Sequence, residues 1–264
     1  MDLSELPLPR IRERFEALRS AAARRRWLAA LRGDPRRGAC ALARQLERRA
    51  FEGRAEARRL LGLFRRQCRL AAGGATLVAG VDEVGVGPLA GPLVAAAVVL
   101  PGPEALDLPG LDDSKRLTRL ARERLAARIR EQALAVAVAE LPAPLVDRLN
   151  VYRASLEAMR RAVESLPFAP HHVLVDARTL PGLRAPQTAL VGGDGSEACI
   201  AAASIVAKVF RDARMAELDL RFPGYGFARH MGYATREHLS ALRRLGPSAI
   251  HRRSFSPVSQ LELF

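Results

Sequence analysis

Apolar and polar positions follow two different rhythms along this chain. Up to residue 71 the apolar residues recur every three or four positions among arginines: Ile11, Phe15, Leu18 and Ala22, then Leu42, Leu46 and Phe51, then Leu60, Leu61, Leu63 and Phe64. That spacing lines one face of a helix. It predicts a helix within residues 10–32, a second after the GDP turn at 33–35, and a third from about 52 to 71. Gly73–Gly74 breaks the rhythm and is the predicted boundary of a helical unit, residues 1–74. No interval repeats along it, so a solenoid is excluded.

Beyond the glycines, short apolar runs replace the helical pattern. Thr76–Val81 and Leu93–Leu100 lie between Gly/Pro turns and predict strands; Ala133–Leu141, HVLVDA at 172–177 and Thr188–Val191 predict three more. Helices are predicted over Thr118–Gln132, over Pro144–Leu166 with a break near Asn150, over the alanine-rich Glu197–Phe222, and over 235–245. Strands with hairpin-like links, then strands alternating with helices, imply a mixed α/β sheet in a domain spanning 75–264.

Charge sharpens this division. The 264 residues carry a net charge of +14, and the first 75 hold 19 arginines against 8 acidic residues, a net +11. The larger domain is nearly balanced. Such an asymmetry suggests a polyanionic partner, nucleic acid ahead of a membrane, although solvated arginine-rich helices would give the same count. Of 42 basic residues only Lys115 and Lys208 are lysine. Three scattered cysteines, Cys40, Cys68 and Cys199, exclude a disulfide framework or a zinc site. No apolar run approaches the roughly 18–20 residues of a membrane span, and the first residues lack a secretory pattern. The expectation is a cytoplasmic protein without a membrane partner.

Carboxylates stand where strands end. Asp82 and Glu83 follow the apolar run Thr76–Val81, Asp176 ends VLVD, and Asp194 sits in GGDGS just after the fifth strand. In open α/β sheets, sites gather beyond the carboxyl ends of strands. Each acid alone has an ordinary reading: solvated strand-end charges for Asp82 and Glu83, a cap for Asp176, a turn residue for Asp194. Neighbouring strand residues face opposite ways, so Glu83 is expected to swing round through the turn containing Gly85 and Gly87. Four crowded carboxylates raise one another's pKa values unless cations compensate. An all-oxygen set suits Mg²⁺ or Mn²⁺. Two ions about 3.5–4 Å apart would stabilise the attacking and leaving oxygens of an in-line displacement at phosphorus.

GVDEVGVGPLAGPLVAAAVVL (80–100), LDDSKRLT (111–118), VLVDAR (173–178), AAASIVAKVFRDARM (201–215), YGFARHMGYAT (225–235) and HRRSFSPV (251–258) together resemble bacterial ribonuclease HII. The resemblance implies a ribonuclease H-like α/β fold, a five-stranded mixed sheet flanked by helices. It implies hydrolysis of RNA in RNA–DNA hybrids and incision 5′ of ribonucleotides embedded in duplex DNA, by a monomer leaving 3′-hydroxyl and 5′-phosphate ends. The family's metal-holding acids fall on Asp82, Glu83, Asp176 and Asp194, with two divalent ions implied. Its Gly-Arg-Gly loop, whose backbone approaches the 2′-hydroxyl at the junction, falls on Gly85, Val86 and Gly87. Phosphate-contacting positions fall on Ser114, Lys115, Ser204 and Lys208. Tyr233 matches the tyrosine that stacks on the following deoxyribose.

Two positions depart from the family pattern. Val86 replaces arginine, and Gly192 stands where many relatives carry lysine. Both changes remove positive charge near the acids, which bears on junction affinity more than on chemistry. The basic helical unit resembles an extension found in some family members, and an auxiliary grip on hybrid or duplex is expected of it. Two other readings remain open: a nucleic-acid-binding protein whose acids are relics, and a nuclease of long hybrid tracts that is poor at single ribonucleotides.

Overall fold

The arginine-flanked apolar residues form helices α1 (Leu8–Glu16), α2 (Ala21–Arg32) and α3 (Ala39–Leu63) in the computed structural model, which describes residues 3 and 5–261. The single helix expected over 10–32 is two, because the Ser20 side chain accepts from Ala23 N and caps a new start. The two helices expected over 42–71 are instead one long helix to Leu63, then α4 (Arg65–Ala72). Ile11, Phe15, Leu31, Leu42 and Leu46 close a small core of their own.

Contacts divide the chain into Met1–Arg59 and Leu60–Phe264. The division falls inside α3 and not at Gly73–Gly74. Leu63 and Phe64 are buried in the core of the larger unit. Helix α4 is tied to that unit where Gln67 Nε2 donates to Leu100 O at 2.9 Å and Arg66 Nε meets Glu197 at 2.9 Å.

The larger unit is built on strands β1 (Val78–Val84), β2 (Leu93–Val99), β3 (Ala135–Leu141), β4 (His172–Asp176) and β5 (Gln187–Leu190), in the spatial order β3-β2-β1-β4-β5. The first three pair antiparallel, and β4 and β5 run parallel to β1. Helices α5 (Arg119–Gln132), α6 (Ala143–Leu149), α7 (Val151–Glu164), α8 (Ala198–Arg221), α9 (Phe227–His230), α10 (Arg236–Leu245) and α11 (Val258–Leu261) complete the fold. Asn150, at φ +64°, breaks α6 from α7 and caps the latter by accepting from Arg153 N. Helices lie on both faces of the sheet. One face packs Val78, Val98 and Leu174 with α5 and α8; the other packs Ala79, Val81, Val173 and Val175 with α7. That is why β2, at the centre of the antiparallel part, is buried throughout as LVAAAVV.

Helix α8 lies closer to the sheet than ordinary packing allows. Ala201, Ala202 and Ala203 are fully buried, and alanine loses no side-chain entropy on burial. Opposite them β1 offers Gly80, where a Cβ would stand 2.2 Å from the backbone carbon of Cys199. Side-chain motion cannot relieve that overlap. Gly80→Ala is therefore expected to cost about 1–3 kcal/mol or more. At about 2–4 °C of Tm per kcal/mol this is readable by calorimetry, with activity lost alongside.

Candidate active site

Asp82, Glu83, Asp176 and Asp194 all lie at one end of the sheet. Val81 and Val175 are paired neighbours on β1 and β4, so Asp82 and Asp176 leave adjacent strands at the same level. Both continue the face that carries Gly80 and Leu174 against α8. Ala177, at φ +55°, then turns the chain sharply out of the sheet. Asp194 arrives from the short 3₁₀ turn Gly193–Gly195 that leads into α8. Gly193 N donates to Asp176 Oδ1 at 2.8 Å, tying this turn to β4. Asp82 and Asp194 are both buried.

Glu83 is placed differently from expectation. Strand β1 does not stop at Asp82 but runs on to Val84, with Glu83 paired to Ala95. The glycine turn comes too late to swing it round. Glu83 therefore faces α7, near the buried Ser155 and Arg178, while its backbone N–H donates to Asp82 Oδ1 at 2.8 Å. The acids straddle the end of one strand.

Electrostatics register the crowding. Burial first, then the charges of Glu83 and Asp176, holds the Asp82 carboxyl well above the usual range. Burial also raises Glu83, against the help of Ser155 and the Arg178 cation. Asp176 is raised by burial and by Asp194, partly offset by the Gly193 hydrogen bond. Lys115 Nζ sits 3.2 Å from Asp194 Oδ2, and this pairing raises the lysine's pKa despite partial burial.

The other expected residues group around this cluster. Ser114 and Ser204 share a 2.7 Å hydrogen bond that joins the LDDSKRLT segment to α8 beside Asp82. Lys208, one turn after Ser204, is held by Asp212 at 2.7 Å and not by the four acids. Gly85, Val86 and Gly87 form the loop after β1, Gly85 buried at φ +87° and Gly87 exposed. A Cβ on Gly87 would stand 3.9 Å from the Tyr233 ring, so the loop and the exposed tyrosine border one surface.

A family model described as Ribonuclease HII matches residues 79–258. The ribonuclease HII of Anaeromyxobacter sp. is 51% identical over 98% of this chain and 81% of its own length. That of Myxococcus xanthus is 52% identical over 88% of this chain and 79% of its own. The chain belongs to the ribonuclease HII family. Membership makes it a hydrolase, an endonuclease of the ribonuclease H type acting on RNA–DNA hybrids. Among solved structures, the ribonuclease H2 of Pyrococcus horikoshii OT3 superposes with a TM-score of 0.61 at 28% identity, covering 70% of this chain and 97% of that one.

The donors suit the hard divalent cations on which the family depends. All are oxygens, Glu83 Oε2 is buried without a hydrogen-bond partner, and the raised carboxyls mark a charge that cations would relieve. Among the described residues no three His, Cys, Asp or Glu side chains already stand as a metal cage. Glu83 lies across the strand from Asp82, and Asp194 is engaged by Lys115. For these four residues to hold a cation together, the side chains at those two positions would have to rotate.

Two residues that shape the candidate site escape sequence reasoning altogether. Arg252 and Arg211 are fully buried, and neither has a carboxylate partner within salt-bridge distance among the described residues. Arg252 donates to Gly85 O at 2.5 Å, Val86 O at 2.8 Å and Gly91 O at 3.1 Å. Arg211 donates to Pro92 O at 2.9 Å and to Met231 O at 3.0 Å. Together they hold the loop between β1 and β2 by its carbonyls and link it to the segment bearing Tyr233. Gly85 is glycine for this reason: a Cβ there would stand 2.3 Å from Arg211 Nε. Burial, then the like charge of Arg211, lowers the Arg252 guanidinium to about 9, still a cation at neutral pH.

Buried histidines hold the far side of Tyr233. Tyr233 O can only accept, so His238 Nδ1 donates to it at 2.9 Å. His238 Nε2 then accepts from His251 Nε2 at 3.1 Å, and His251 Nδ1 accepts from Ser248 N at 2.9 Å. Burial keeps both rings neutral and pushes His251 down to about 4. With both nitrogens of each ring engaged, these histidines act structurally.

Two measurements test this electrostatic account. The native acids have pKa values raised above those of the unfolded chain, so the folded state binds more protons just above the ordinary carboxyl range. Stability is then lost as pH rises through that window. Asp82→Asn should raise Tm in EDTA at about pH 8, gain less at about pH 4, and lower cleavage by about 10²-fold or more. A Tm lowered at both pH values would show that the carboxylate is structurally paired. Arg252→Met should leave the Gly85, Val86 and Gly91 carbonyls without their donor, at about 1–3 kcal/mol each. Denaturant unfolding should show a loss of several kcal/mol.

Proposed function

We propose that this ribonuclease HII cuts the RNA strand of RNA–DNA hybrids and also incises 5′ of single ribonucleotides embedded in duplex DNA, in ribonucleotide removal during replication and repair. One observation carries the reading: the buried acids Asp82 and Asp194, with the half-buried Asp176 and Glu83, share one sheet end with a loop held by its carbonyls and bordered by an exposed tyrosine. The reaction would proceed in the cytoplasm, on a monomer, with two Mg²⁺ or Mn²⁺ ions held by those four residues. When bound, such ions polarise the scissile phosphate and stabilise the charge of the attacking and leaving oxygens, giving 3′-hydroxyl and 5′-phosphate ends.

The chain's own residues position the substrate. With Arg252 and Arg211 holding carbonyls from below, the Gly85–Gly87 backbone is fixed for reading a 2′-hydroxyl, which offers both a donor and an acceptor. Tyr233 supplies a flat apolar face for the next sugar. Lys115 would exchange Asp194 for a substrate phosphate as cations arrive, and Lys208 would supplement it from α8. Ser114 and Ser204, already sharing a hydrogen bond, offer hydroxyls to the same backbone.

Val86 is the position where this reading is most exposed. Its side chain is half-buried against the α7 face, and its carbonyl belongs to Arg252. If the backbone does the reading, a guanidinium here adds only one solvated phosphate contact, worth about five-fold at most. The test compares wild type with Val86→Arg on a hybrid and on a duplex holding one ribonucleotide, with Mg²⁺, Mn²⁺ or EDTA. Wild type should cut both substrates with metal and neither in EDTA, and Val86→Arg should change the single-ribonucleotide rate by less than that factor. No metal-dependent cleavage of either would overturn the assignment. A gain of about 10²-fold or more on the single-ribonucleotide duplex alone would show that the native loop serves hybrid tracts.

A further inference from the structure

We infer that the N-terminal unit carries a groove of its own for single-stranded nucleic acid, built to take an unpaired base along with backbone phosphates. The groove runs between α2 and α3, with a volume of about 730 Å³. That size is in the range of small-ligand clefts. Five arginines line it, Arg19, Arg24, Arg25, Arg32 and Arg54, against the single acid Glu47. Glu47 is already engaged by Arg32. Arg24 is fixed in place, donating to Leu18 O at 2.8 Å with its guanidinium 5.9 Å above the Phe15 ring. Arg19, Arg25 and Arg54 are exposed and form no ion pair among the described residues.

The aromatic residue decides the kind of polyanion. Phe51 lines the same groove with 67% of its surface exposed, among arginines and away from the core of its unit. Nothing in the packing needs it. A duplex presents phosphates but keeps its bases stacked inside, and an acidic peptide would use the guanidiniums but not a flat apolar ring. Unpaired bases use both: stacking on an aromatic face, with cations along the backbone, is how strands are held without sequence choice. The site lies wholly within residues 15–54 and does not depend on the catalytic reading.

The experiment uses the full chain in EDTA, where binding is separated from hydrolysis. Fluorescence anisotropy follows labelled oligothymidylate and a fully paired DNA duplex, and a 2-aminopurine strand reports stacking. Phe51→Ala should weaken oligothymidylate roughly ten-fold, leave the duplex within about two-fold and abolish the 2-aminopurine change. Arg25→Glu with Arg54→Glu should weaken both and flatten the salt dependence. Each of these residues is exposed, and kcat on saturating hybrid should stay at the wild-type value, which confirms folding. Equal loss on strand and duplex with Phe51→Ala, no loss at all, or displacement of oligothymidylate by polyglutamate at equal charge concentration would overturn the proposal.

Discussion

Keeping like charges out of water is the constraint around which the larger unit is organised. Asp82 and Asp194 are buried, and Asp176 couples to both. A chain free to relax would spread such groups into solvent, because desolvation and mutual repulsion both oppose ionisation. It cannot relax here. Asp82 and Asp176 are fixed by strand pairing, and Asp194 by a turn whose Gly193 is bonded to Asp176. Helix α8 closes over them because Gly80 and three alanines allow backbone to approach backbone. Packing energy gathered along the whole sheet is set against repulsion at its end, and the result is a carboxyl cluster whose ionisation a nearby positive charge would favour.

Positive charge near the site is sorted by depth. Arg252 and Arg211 lie beneath the loop and spend their donors on carbonyls, so they shape backbone and do not quench the acids. Lys115 and Lys208 lie nearer the surface, each paired with a carboxylate. A guanidinium has five donors in a fixed fork and suits several carbonyls at once; an ammonium on a flexible stem suits a partner that changes. In a chain of forty arginines, both lysines stand at this end of the larger unit, each against an aspartate.

Much of this was legible in the sequence, for definite reasons. Buried strands betray themselves as short apolar runs, and the acids that end them stand out because charge at a strand end has few other uses. The face taken by Glu83 was not legible: β1 keeps its pairing three residues past the apolar run, and side-chain alternation follows the pairing. The unit boundary was obscured because Gly73–Gly74 ends a helix, whereas Leu63 and Phe64, ten residues earlier, already belong to the larger core. Arg211 and Arg252 were invisible among so many arginines, since nothing local separates a buried guanidinium from a solvated one. Burial of an uncompensated cation is a property of the assembled loop.

The two departures from the family pattern prove unequal once backbone conformation is considered. Val86 leaves the loop unchanged where it matters, since the contacts fixing that loop come from carbonyls and Arg252 does not see the side chain. Gly192 is a different case. It adopts φ +68°, a left-handed conformation that glycine takes freely and a lysine would occupy only with strain. A lysine placed at position 192 would therefore be strained in the turn as it stands before Asp194. Lys115, reaching Asp194 from the opposite segment, supplies the one cation within salt-bridge distance of this acid among the described residues. Among the described residues, positive charge beside the last acid therefore rests on Lys115 alone, a side chain that is itself largely exposed.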